Sequence, residues 1–116
     1  TGAQIKAAIE NGISRVDEAA GRFPQVSGLR IIADRSKPAG SRVLSISVNG
    51  TPLDPARRYS VAINDFMLRG GDGYTSLADP KATDDSGNQL MANDVMAYAR
   101  HLGKIELKSE GRISFQ

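Results

Sequence analysis

Apolar side chains change period along this chain, and that change restricts the fold more than any other feature. Ile5, Ile9, Ile13, Val16 and Ala20 recur at spacings of three and four, which is one stripe on a helix of about five turns. Thr1 and Gln4 supply a capping box at its entrance, and Gly21 marks its expected end. Gly12 interrupts the stripe at a cost of roughly 1 kcal/mol relative to Ala, the mark of close packing against a neighbour. Beyond Gly21 the period falls to two. Leu29 to Ile32 reads as a strand preceded by Val26, and Ser36 to Gly40 as a turn. Val43 to Val48 is a strand with Leu44, Ile46 and Val48 on one face. Asn49-Gly50 is a type I′ hairpin signal, and Asp54 to Arg58 is a further turn. Tyr59, Val61 and Ile63 then share one face of another strand.

The segment Ala78 to Gln89 is rich in Asp, Ser, Pro and Gly and reads as a surface loop. Asn93 begins a second helix, with Val95, Ala99 and Leu102 expected inward and Gly103 closing it; Arg112 to Phe115 is a last strand. Helix, antiparallel strands, helix and strand make an α+β order rather than regular βαβ alternation. The expectation is a mostly antiparallel sheet packed with a long N-terminal helix and a second helix near the C-terminus. A length of 116 residues suits one domain.

Several function classes are excluded by what the chain lacks. It has no cysteine, hence no thiolate nucleophile and no Cys-based metal site. Fifteen Lys and Arg against 13 Asp and Glu are interspersed without a basic patch, so nucleic acid is not an expected partner. No apolar stretch approaches the ~18 residues of a membrane span. The only histidine, His101, falls at the end of the second helix, where a cation is favoured by the helix dipole. One such histidine makes neither a catalytic triad nor a hydrolytic metal centre. Asp79 to Asp85 lacks the ligand spacing of a calcium loop.

One segment carries recognition chemistry. Asn64-Asp65-Phe66 is followed within a few residues by Gly70-Gly71-Asp72-Gly73-Tyr74. Phe66 and Tyr74 offer flat faces for stacking. The glycines let backbone approach a ligand, and Asp72 offers acceptors suited to sugar hydroxyls. A phosphate cradle is excluded, because no Lys-Ser/Thr follows and the carboxylate repels phosphate. Two readings remain open on these residues alone: a wall for a planar, hydroxyl-bearing molecule, or a core phenylalanine beside an ordinary glycine turn.

At these positions the chain resembles the C-terminal domain of the 5′-nucleotidase family, which includes UDP-sugar hydrolases and 2′,3′-cyclic nucleotide phosphodiesterases. The ordered matches are Gly21-Arg22-Phe23-Pro24-Gln25-Val26-Ser27-Gly28, Ser36-Lys37-Pro38-Ala39-Gly40-Ser41-Arg42-Val43 and Asp54-Pro55 with Tyr59-Ser60-Val61-Ala62. Asn64-Asp65-Phe66 with Gly70 to Tyr74, and Glu110-Gly111-Arg112-Ile113, complete the set. The resemblance implies a domain over residues 1–116, cut on its N-terminal side. It implies that Phe66 stacks on a nucleoside base, that Asp72 contacts ribose hydroxyls, and that Gly70, Gly71 and Gly73 shape the site, with no catalytic or metal residue in this chain. Phe23 is read as structural.

Further expectations come from the same resemblance. Two divalent metal ions and the hydrolytic chemistry belong to an N-terminal metallophosphoesterase domain of the same polypeptide. The second stacking phenylalanine lies upstream, this chain alone is inactive, and the intact protein is periplasmic or extracellular. The alternatives are a non-catalytic binding module and a related hydrolase of non-nucleotide substrates, such as a thiosulfohydrolase.

Overall fold

The computed structural model describes residues 1–78 and 90–116. Asp79 to Asp85, and all of the expected surface loop except Ala78, therefore lie outside the described residues. The elements run α1 (Gly2–Ile13), β1 (Leu29–Ala33), β2 (Val43–Val48), β3 (Thr51–Pro52), α2 (Asp65–Leu68), α3 (Met91–Leu102) and β4 (Ile113–Phe115), with short 3₁₀ helices at Val16–Glu18, Gly71–Gly73 and Thr75–Leu77. One four-stranded sheet has the order β3-β2-β1-β4; β1–β2 and β2–β3 are antiparallel, and β1–β4 is parallel. The α+β class and the mostly antiparallel sheet agree with the expectation.

The capping box forms as written: Thr1 Oγ1 accepts the Gln4 N–H at 3.3 Å, and Gln4 Oε1 accepts from the Thr1 nitrogen at 2.7 Å. Ile5, Ile9 and Ile13 then face the sheet and pack with Ile31, Ala33, Val43 and Ile46. The helix is shorter than its stripe, however. It ends at Ile13, because Arg42 Nη1 donates to the carbonyls of Ile13 (2.8 Å) and Ser14 (3.2 Å), satisfying acceptors that a helix end leaves open. Val16 lies in the separate 3₁₀ helix, which closes at Ala19 in the left-handed conformation (φ 51°), in place of Gly21.

Asn49 and Gly50 both take positive φ, 48° and 83°, as a type I′ turn requires. Strand β2 departs from simple alternation. Ala33 pairs with Val43 while Ile32 pairs with Ser45, which leaves Leu44 as an extra residue. Such a bulge resets the alternation, so Val43 and Ile46 are both buried and Leu44 is exposed, contrary to the expected face. Glu10, only 7% exposed, fixes this irregularity. Its Oε2 accepts the Arg42 N–H at 3.0 Å and its Oε1 accepts the Val43 N–H at 2.8 Å.

Two further expectations are corrected. Residues 59–63 are not a strand: the sheet contains none of them, Val61 is exposed, and among the described residues the chain reaches α2 without a ladder partner. Helix α3 exists, but its apolar side is not inward, for Val95 is 59% and Leu102 46% exposed, and Ala99 is half-buried. Amphipathic pattern specifies a face without supplying what covers it, and among the described residues no element packs closely on α3.

Candidate functional site

The loop from Asn64 to Tyr74 is built on two anchors. At its start, Asn64 caps α2, its Oδ1 accepting the Met67 N–H at 2.8 Å. This fixes the first turn, and with it Phe66. At its end, Tyr74 is 3% exposed and its hydroxyl donates to the Arg22 carbonyl at 2.6 Å. Gly12 of α1 makes room for that anchor: a Cβ there would stand 2.6 Å from the Tyr74 hydroxyl and 2.7 Å from Pro24 Cδ. Burial, and secondarily the charge of Asp72, push the Tyr74 hydroxyl above its ordinary pKa of 10.0. Tyr74 is thus an interior strut, and its ring is not the stacking face that sequence alone allowed.

Between the anchors the backbone turns through Gly70 (φ 81°), Asp72 (φ 53°) and Gly73 (φ 82°), all in the left-handed region. The Phe66 ring lies against Gly71: an added Cβ would come within 2.6 Å of three ring carbons. Backbone thus supports one side of the ring, while 54% of the residue remains exposed. Asp72 is exposed, and among the described residues no hydrogen bond or ion pair reaches its carboxylate. The loop therefore presents an aromatic surface and a carboxylate from adjacent turns, a combination able to stack a flat ring and accept hydrogen bonds from hydroxyls.

Phe66, Gly70, Gly71, Asp72 and Gly73 all fall in this one loop. What sequence reading missed is the support from α1. Asn11 Nδ2 donates to the Asp72 carbonyl at 3.0 Å, and Arg22 Nη1 approaches Asn11 Oδ1 at 3.4 Å. The only forewarning was Gly12, whose missing side chain signals a close neighbour. Phe23 is structural as expected, packed on the core with its ring centroid 6.5 Å from that of Phe115. His101 is exposed in the last turn of α3. Two surface clefts lie elsewhere, one bounded by Phe23, Val26 and Arg112, the other by Gly28, Asn49 and Arg112. Among the described residues no three His, Asp or Glu side chains converge to hold a metal ion. Among them, too, no helix is long and apolar enough to cross a membrane.

Comparison with known proteins bears on this loop. The family model for the 5′-nucleotidase C-terminal domain matches residues 1–79, which include it. A snake venom 5′-nucleotidase of Crotalus adamanteus is 35% identical, over 98% of this chain and 21% of the relative. Among solved structures, a 5′-nucleotidase precursor of Thermus thermophilus superposes with a TM-score of 0.91 at 41% identity, covering 99% of this chain and 24% of that one. The sulfate thiohydrolase SoxB of the same genus gives 0.69 at 30% identity, covering 98% and 21%. The chain thus spans only a fifth to a quarter of these relatives. A family match over two thirds of its length, joined to these likenesses over nearly all of it, leads to one conclusion: the chain belongs to the 5′-nucleotidase C-terminal domain family.

Proposed function

We propose that this chain is the substrate-recognition part of a metal-dependent 5′-nucleotidase-type phosphohydrolase, in which Phe66 stacks on a nucleoside base and Asp72 accepts hydrogen bonds from the ribose hydroxyls. The observation that carries this reading is the Phe66 ring, supported from behind by Gly71 yet more than half exposed beside an exposed carboxylate. Exposure alone is ordinary for an apolar side chain; what distinguishes Phe66 is that one side of its ring is backed by backbone while a carboxylate stands beside it. Gly70, Gly71 and Gly73 shape the wall. The opposite wall, two divalent metal ions and the hydrolytic step are assigned to the remaining length that the relatives have and this chain does not span. A metallophosphoesterase domain of the same polypeptide is the proposed partner. Bond cleavage is not assigned to this chain alone, and the whole protein is proposed to work in the periplasm or outside the cell.

Similarity to SoxB keeps a thiosulfohydrolase as the competing reading, although that likeness is weaker in both identity and superposition. A substrate panel on the full-length, metal-loaded protein separates the two. Release of phosphate from nucleoside phosphates is expected. Hydrolysis of a sulfur ester without nucleotide turnover contradicts the proposal, and no hydrolysis of either favours a non-catalytic binding module.

A further inference from the structure

A carboxylate is useful for recognition only if its backbone holds it still, and the backbone of Asp72 lies in the left-handed region. Its φ of 53° and ψ of 23° lie in a region that non-glycine residues seldom occupy, and flexible glycines flank it. Left to itself, such a segment samples other conformations, each sending the carboxylate elsewhere. The described contacts include a restraint on that peptide from outside the loop: the Asn11 side chain, 61 residues away in sequence, donating to the Asp72 carbonyl at 3.0 Å. Arg22 near Asn11 Oδ1 orients the amide so that its NH₂ group faces the loop. Asn11 Oδ1 also lies only 2.8 Å from the position a Cβ on Gly73 would take, so side chain and loop are in direct contact. Asn11 stands on α1 between the core residues Ile9 and Ile13, which makes its own position rigid.

On the strength of the nucleoside reading above, we infer that Asn11 is a positioning residue for substrate recognition: by holding the Asp72 peptide it aims the carboxylate at the sugar hydroxyls, and so sets the preference for ribose over 2′-deoxyribose. Asn11 does not touch the substrate. Its contribution therefore appears in discrimination between sugars and leaves phosphoryl chemistry alone.

The test uses the full-length, metal-loaded protein with three substrates: a ribonucleoside monophosphate, its 2′-deoxy counterpart, and p-nitrophenyl phosphate, which has no sugar. Asn11→Ala and Asn11→Asp, the second keeping the shape but replacing the donor with an acceptor, are expected to raise KM for the ribonucleotide about tenfold, the equivalent of about 1.4 kcal/mol. The ratio of kcat/KM between ribo- and deoxyribonucleotide should collapse toward one, with p-nitrophenyl phosphate hydrolysis unchanged. Equal losses on all three substrates make Asn11 merely structural and overturn the inference, as does a retained ribose preference. Asp72→Ala, measured alongside, separates the two levels. If it abolishes the sugar preference and the Asn11 variants do not, only the role of Asn11 falls; if it has no effect, the assignment of Asp72 to the sugar falls and the inference with it, while the base stack at Phe66 is tested separately by Phe66→Ala.

Discussion

The Phe66 ring rests on the bare Cα of Gly71, close enough that a methyl group there would stand 2.6 Å from three ring carbons. Gly71 is not in the left-handed region, so alanine is tolerated by the backbone and the ring must give way. Gly71→Ala is accordingly expected to leave stability within about 0.5 kcal/mol while tilting the proposed stacking face. In the full-length protein KM for nucleotide should rise several-fold with kcat nearly unchanged, as steady-state kinetics would read. An unaltered KM would mean that the orientation of the ring is immaterial.

Glu10 is a buried carboxylate whose two oxygens serve two successive backbone N–H groups at the β2 bulge. Glu10→Gln keeps the volume but offers only one acceptor, turning an NH₂ toward the other donor. The expected loss is about 1–3 kcal/mol of stability, the cost of a buried donor left without a partner. Denaturant titration measures it, and amide exchange at Arg42 and Val43 should accelerate together. A neutral effect would show that the bulge does not depend on this carboxylate.

Tyr74 gives the fold a pH dependence at the alkaline end. Burial, followed by the charge of Asp72, raises its folded-state pKa above the ordinary 10.0. Above pH 10 the unfolded chain releases the proton before the folded one does. The contribution of Tyr74 is therefore complete below that pH and is lost as pH rises through the folded-state value. Tyr74→Phe should weaken this alkaline loss and cost about 1 kcal/mol at neutral pH, because the Arg22 carbonyl loses its donor. Unfolding curves for both proteins on either side of pH 10 test the sign.

Most local signals in the sequence formed as read, the helix stop at Gly21 excepted, whereas partners were not legible. The capping box at Thr1, the stripe of Ile5, Ile9 and Ile13, and the Asn49-Gly50 turn each depend on residues a few positions apart, and each forms as read. Leu44 was misread because an extra residue opposite β1 leaves no trace in a two-residue period. Tyr59, Val61 and Ile63 alternate properly but have no strand beside them, and α3 has an apolar face with no close cover among the described residues. The candidate site divides in the same way. Phe66, Asp72 and the glycines lie close in sequence, so their place in one loop was legible. Asn11, which reaches Asp72 across 61 residues, could be found only once the chain was folded.

The central claim is that Phe66 and Asp72 hold a nucleoside. Steady-state kinetics of Phe66→Ala and Asp72→Ala in the full-length, metal-loaded protein test it most directly. A base stack is worth about 1–3 kcal/mol, so KM for a nucleoside monophosphate should rise roughly 5- to 150-fold in Phe66→Ala, and should also rise in Asp72→Ala, with kcat changing far less in both. Unchanged nucleotide KM in both variants would contradict the account.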